Sequence, residues 1–132
     1  MTEPTRPLPK FPEPDSEPFW HATREHRLLF RVDPATGEAV PIPRRGLDPI
    51  PEWRESAGTG TIYSFTVVRQ HGQPYFRNRV PYVVAFVDLD EGFRMLSEIL
   101  AEPDTVRIGQ RVQVEWEDHD DLSVPCFRPV RS

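Results

Sequence analysis

The stretch that most restricts what this chain can become is Gly58-Thr-Gly-Thr-Ile-Tyr-Ser-Phe-Thr-Val-Val68. A glycine corner opens directly into Thr61, Ile62, Tyr63, Phe65, Thr66, Val67 and Val68. β-Branched and aromatic side chains of this kind suit a pleated, packed strand and lose rotamer freedom in a helix. We read the stretch as the first strand of a β-barrel. Ahead of it the chain is rich in proline and irregular; after it, short apolar runs alternate with turn signals. The expected division is therefore an arm, a helix and a hairpin over residues 1–57, followed by a barrel over residues 58–132.

The 132 residues are about enough for one modest core. Twenty-one acidic residues against sixteen Lys and Arg give a net charge of −5. That balance argues against a phosphate backbone as the main partner unless cations are gathered on one face. The apolar runs are too short to span a bilayer, and the start, Met-Thr-Glu-Pro-Thr-Arg-Pro, has no apolar signal core. A cytoplasmic protein with no membrane partner is expected. The single cysteine, Cys126, excludes an internal disulfide and agrees with a reducing compartment.

In chain order, prolines at positions 4, 7, 9, 12 and 14 bias the start to an extended arm. Asp15 or Ser16 can cap a short helix over residues 17–25, with Pro18 in its first turn. A helix this short is marginal alone, so Phe19 and Trp20 must dock on something. Burying each contributes about 1.5 to 3 kcal/mol. The surface that receives them is either the protein's own barrel or a groove in a partner chain. Residues 28–32 read as a strand, Asp33-Pro34-Ala35-Thr36-Gly37 as a turn and residues 38–42 as the returning strand. Closely spaced prolines make residues 41–51 a loop or linker.

Beyond Gly58 the expected strands are 61–69, 82–89, 93–100, a fourth around Val112, Val114 and Trp116, and 123–128. The fourth has the clearest alternation, with Gln113, Glu115 and Glu117 on its other face. A long loop covers 70–80, a helical turn covers 103–106, and Asp90-Glu91-Gly92 and residues 117–121 make turns. Five strands with a small helix between the third and fourth predict a mainly β fold with an OB-type barrel.

The runs from Gly58 to Val68, Pro81-Tyr-Val-Val-Ala-Phe-Val-Asp-Leu-Asp-Glu-Gly, Ile108-Gly-Gln-Arg-Val-Gln-Val and Phe127-Arg-Pro, together with Pro18-Phe19-Trp20, resemble the acyl-CoA-associated OB-fold family that carries a rubredoxin-like zinc ribbon. Members place two Cys-x-x-Cys knuckles before the barrel. Here those positions fall on Asp33 and Thr36, and on Asp48 and Pro51. Structural zinc needs thiolate or imidazole ligands in tetrahedral reach, which this set lacks. The resemblance therefore implies a ribbon-shaped hairpin that binds no metal and is held by packing or by a partner. It further implies a non-catalytic accessory subunit of a thiolase-superfamily enzyme, an aldolase or acyltransferase in steroid side-chain or lipid catabolism. On that reading the protein holds no cofactor of its own, and a coenzyme A thioester is the ligand it shares.

The residues themselves supply no complete catalytic set. Cys126 lies in an apolar strand, where a thiol behaves as a small hydrophobe. His21, His26, His71 and His119 are scattered without metal spacing. Asp88, Asp90 and Glu91 read as a solvated turn rather than an acid-base pair, and Glu117, Asp118, Asp120 and Asp121 as a second acidic turn. The segment 69–79 is richer: Arg69, His71, Arg77 and Arg79 surround Tyr75 and Phe76, offering cations for phosphate and rings for a base. That grouping suits the nucleotide end of coenzyme A; it equally suits single-stranded nucleic acid, or an ordinary exposed loop. Arg44 and Arg45 form a second basic point and, with Phe19 and Trp20, the expected partner interface. The rival to an accessory subunit is a free-standing OB-fold binder of single-stranded nucleic acid, and a third class, an independent acyl-CoA hydrolase or hydratase, lacks its acid-base pair.

Overall fold

A computed structural model describes residues 5–9, 16–42, 46–47 and 49–130. Two β units follow one another, joined at Ser56 and Gly58. The first is a three-stranded antiparallel sheet in the order β2-β1-β3, made from β1 (Leu28–Val32), β2 (Ala39–Val40) and β3 (Glu52–Ser56). Leu28, Phe30 and Val32 alternate along β1 and are buried. β3 was not expected, because Glu-Trp-Arg-Glu-Ser has no apolar alternation. It forms through backbone pairing with β1, from Leu28 opposite Ser56 to Val32 opposite Glu52. The return strand β2 shrinks to two residues, opposite Arg31 and Val32.

The second unit is a closed barrel in the order β4-β5-β6-β8-β7. Its strands are β4 (Thr59–Val68), β5 (Tyr82–Leu89), β6 (Arg94–Ile99), β7 (Arg111–Asp118) and β8 (Ser123–Pro129). The barrel closes where Thr59, Gly60 and Thr61 of β4 pair with Gln113, Val112 and Arg111 of β7. All neighbours run antiparallel except β6 and β8, which meet in parallel at Ile99 and Phe127. Inward side chains follow period two: Val83, Ala85, Val87 and Leu89 on β5, with Ile62, Ile99, Val112 and Phe127 from the other strands. Between β6 and β7 a 3-10 turn, Pro103–Thr105, delivers Val106 into the core. Glu117 and Asp118, expected in a turn, complete β7 instead; the turn is closed by the His119 amide donating to the Leu122 carbonyl at 2.9 Å.

Two glycines make the barrel's opening corner. Gly58 has φ +80, and a Cβ there would lie 2.3 Å from Val114 Cγ1. At Gly60 a Cβ would meet the Asp88 carbonyl oxygen at 2.5 Å. Only a residue without a side chain allows β4 to approach β5 and β7 this closely.

The helix α1 (Glu17–Thr23) is two residues shorter than expected. It stops because the chain turns at His26, which takes φ 58, while the Glu25 and Arg27 amides both donate to the Ala22 carbonyl. Thr23, fully buried, donates its hydroxyl to the Trp20 carbonyl at 2.6 Å and accepts the Ser123 amide at 3.0 Å, fixing the helix to β8. Ser16 occupies the cap position without a side-chain cap hydrogen bond, and Asp15 lies outside the described residues.

Candidate functional site

The outer face of β6, β8 and β7 turns Glu98, Cys126 and Glu117 away from the barrel core. This follows from pairing, since Glu115 stands opposite Cys126 and Glu117 opposite Val124, while Val112, Val114 and Phe127 point inward. The 70–81 connection folds over one end of this face. Within it the short helix α2 (Pro74–Arg77), absent from the expected long loop, presents Tyr75 and Phe76 in edge-to-face contact at 5.1 Å.

Into this corner comes Arg6, from the described arm residues. Its Nε lies 2.5 Å from Glu117 Oε2 and its Nη2 3.2 Å from Glu98 Oε1. The guanidinium carbon stands 4.9 Å from the centroid of Tyr75 and 5.5 Å from that of Phe76. Arg79 pairs with the other oxygen of Glu98, donates to the Tyr75 hydroxyl and lies 5.2 Å from the Tyr75 ring centroid. His119 Nε2 is 2.9 Å from Glu117 Oε2. Burial opposes the charge on Arg6, but hydrogen bonds and charge from Glu117 and Glu98 outweigh it and raise its pKa. For Glu117, burial works against ionisation, while hydrogen bonds from His119 and Arg6 prevail and hold the carboxyl below its ordinary range.

The structure brings Tyr75, Phe76 and Arg79 of the basic segment together, but spends Arg79 on Glu98. Arg77 turns back to donate to the His71 and Gly72 carbonyls. His71 accepts the Gln73 amide through Nδ1 and packs against Phe76 at 4.7 Å. Arg69 is exposed and enters no ion pair with a described residue. Phe19 is buried in the chain's own core, and Trp20, half-buried, meets it edge-to-face at 4.9 Å. Arg44 and Arg45 lie outside the described residues.

Three features escaped sequence reading. Arg6 and its carboxylate partners lie far apart in the chain, and no local pattern links them. An apolar row crosses the outer face of the first three barrel strands: Tyr63 is 53% exposed, Phe86 44% and Leu96 59%. Phe86 pairs directly with Leu96 and with Ser64. The signal was present, because residues 82–89 are apolar on both faces and one of those faces must point outward. The acidic turn after β5 also does more than remain solvated: Asp88 pairs with Arg94 at 2.6 Å, Asp90 grips Arg111 with both oxygens at 2.7 Å, and Glu91 accepts from Ser56 Oγ at 2.6 Å and the Ala57 amide at 2.8 Å.

The zinc associated with such hairpins does not fit this one. Asp33 Oδ1 accepts the Ala35 amide at 2.8 Å and Thr36 Oγ1 the Glu38 amide at 3.2 Å, so both positions of the first knuckle close the turn; of the second, Pro51 has no ligating side chain and Asp48 lies outside the described residues. Among the described residues no group of His, Cys, Asp and Glu could hold a metal. Packing joins the sheet to the barrel instead, around an open cleft of about 430 Å³ lined by Phe19, Phe30, Val40, Ile42, Phe93 and Met95. Burial pushes the Cys126 thiol up to about 11, away from nucleophilic use. His26 Nε2 and Ser123 Oγ both meet Asp118 Oδ1, at 2.6 and 2.7 Å. This places the carboxylate between the other two, so the histidine does not reach the serine as a base must. No helix among the described residues is long and apolar enough to cross a membrane.

Residues 53–117 match the family described as ChsH2, C-terminal OB-fold domain. A DUF35 domain-containing scaffold protein of Methanocaldococcus jannaschii is 37% identical over 128 residues, spanning 86% of this chain and 89% of that protein. The 3-oxo-4,17-pregnadiene-20-carboxyl-CoA hydratase alpha subunit of Mycobacterium tuberculosis is 36% identical over 121 residues, 87% of this chain but 38% of that subunit. This chain thus spans well under half the length of that curated relative. The solved Ltp2-ChsH2(DUF35) aldolase matches with a TM-score of 0.79 and 30% identity over 92% of this chain and 98% of the compared chain.

Proposed function

Because the chain belongs to the DUF35 family of acyl-CoA-associated OB-fold proteins, we propose that it is a non-catalytic accessory subunit of a heteromeric thiolase-superfamily enzyme acting on acyl-CoA thioesters, an aldolase or acyltransferase of steroid side-chain or lipid breakdown. The observation that carries this reading is the agreement along almost the whole chain with a chain of the solved Ltp2-ChsH2(DUF35) aldolase. The absence of a nucleophile-base set among the described residues supports it, with Cys126 buried and His26 turned to Asp118. Trp20 and the exposed row Tyr63, Phe86 and Leu96 supply the aromatic and aliphatic anchors that such an interface uses. A coenzyme A thioester is the shared ligand, and exposed Arg69 and Arg77 are the loop cations that reach its phosphates.

A second reading, in which the partner carries hydratase chemistry, is favoured by the likeness to the hydratase alpha subunit. A nucleic-acid role is weakened because Glu98 and Glu117 engage Arg6 and Arg79, which takes both cations away from a phosphate backbone. The test is co-expression with a thiolase-superfamily aldolase subunit, size-exclusion chromatography with mass detection, and acyl-CoA cleavage measured with and without this chain. Joint elution and activity that needs both chains supports the proposal. Separate elution with unchanged partner activity overturns it, and joint elution with a hydratase instead selects the second reading.

A further inference from the structure

OB barrels receive ligands on the face of their second and third strands and in the loops that join strands one to two and four to five. In this chain those are β5, β6, the 69–81 connection and the turn at 119–122. Tyr75, Phe76 and Arg79 come from the first loop, Tyr82 from β5, Glu98 from β6, and Glu117 and His119 from beside the second loop. The end of this face beside Glu98 is already filled, and its occupant is Arg6.

The fit is that of a guanidinium. Arg6 Nη2 donates to Glu98 Oε1 at 3.2 Å and to Glu117 Oε1 at 3.4 Å, while two rings cover the guanidinium. A flat, delocalised, weakly hydrated cation meets both demands at once; a compact, strongly hydrated ammonium meets them less well. The charges also require an occupant. Without Arg6, the two carboxylates keep one guanidinium between them, that of Arg79, with His119 on Glu117 alone, and the Glu98 side chain is only 11% exposed. A buried carboxylate left short of a partner is costly, so the corner selects for a cation. Prolines at 7 and 9 hold the segment after Arg6 extended, so that it offers the side chain with little ordering cost.

We propose that the ligand face of this barrel is an arginine-reading socket, filled by Arg6 of the chain's own arm and open in trans to an arginine carried on an extended segment of a protein partner. The cis arm is tethered and so present at high effective concentration. A partner segment enters when the arm is drawn away, and the arm thereby sets the threshold for docking. The socket also has a built-in reporter, since Arg6 and Cys126 line one cleft of about 350 Å³ with Trp20 and Val124.

The test uses the full chain carrying Arg6→Ala and a labelled peptide with the sequence of residues 1–10, either unchanged or with lysine in place of arginine. The expected result is saturable binding of the arginine peptide, at least tenfold weaker binding of the lysine peptide, and at least tenfold weaker binding of either to the unsubstituted chain. Glu117→Gln added to Arg6→Ala abolishes the preference for arginine. In parallel, a thiol reagent modifies Cys126 at least tenfold faster in Arg6→Ala than in the unsubstituted chain, and the arginine peptide restores protection. Should Arg6→Ala fail to melt cooperatively, Arg6→Lys replaces it in both measurements, with the same outcomes required. Equal binding of the two peptides, no binding, or unchanged Cys126 reactivity overturns the proposal. The titration needs no enzyme partner, so its failure leaves the accessory-subunit reading untouched.

Discussion

Phe30 and Phe93 stack with centroids 4.6 Å apart and planes 7° from parallel, and this contact joins the N-terminal sheet to the barrel. Phe30 belongs to β1 and Phe93 immediately precedes β6. Offset ring packing of this kind supplies the attachment between the two units.

Replacing Phe30, which is 5% exposed, by alanine removes that packing and leaves a cavity. The expected cost is about 3 to 5 kcal/mol of unfolding free energy, read by urea denaturation. A chelator added to the unsubstituted chain leaves the midpoint unchanged; a chelator-dependent drop would mean that a metal supports the hairpin.

Gly58→Ala tests the corner at the start of β4. It pays for a left-handed backbone and also drives a methyl into Val114, so a loss of at least about 2 kcal/mol is expected. Gly109→Ala makes the control, with φ +88 and nothing within 4 Å of its added carbon. It should lose only the conformational part, about 1 to 2 kcal/mol. Equal losses at the two sites would show that Val114 yields freely.

Acid should weaken the arm's socket in a defined direction. Glu117 is held below its ordinary value of 4.5 by His119 and Arg6, against the opposing effect of burial. The unfolded chain therefore binds this proton more readily than the folded one, and protonation favours unfolding. Its stabilisation is complete above pH 4.5 and is lost as the pH falls through the lower folded value. Glu117→Gln should be less stable at neutral pH and should decline less steeply below pH 4.5, measured as melting temperature against pH. A decline parallel to that of the unsubstituted chain would remove Glu117 from the account.

Leu96→Asp places a charge at the β6 end of the exposed apolar row. Because Leu96 is 59% exposed, folding stability should shift by no more than about 0.5 kcal/mol. Co-elution with the enzyme partner should be lost, since a charge in the core of an interface has no pair there. Retained co-elution would move the interface to another face.

The sequence by itself determined the elements whose cause is local. Val112, Val114 and Trp116 alternate with polar residues, and alternation of that kind decides which face of β7 turns inward. The Gly-Thr-Gly corner marked the barrel's first strand because glycine was required by the backbone itself. The missing knuckle cysteines rule out thiolate coordination at those positions from composition alone. What the tertiary structure decided were the matters settled by which distant groups meet. β3 is polar and gains its identity only from the backbone groups of β1. Phe19 could have served a partner and instead fills this chain's own core. Arg79 read as a free cation until Glu98, brought alongside by β6, captured it. Arg6 and Glu117 meet across 111 residues of chain. Local propensity carries no information about such pairs, because their energy exists only once the barrel has closed and brought the two charges together.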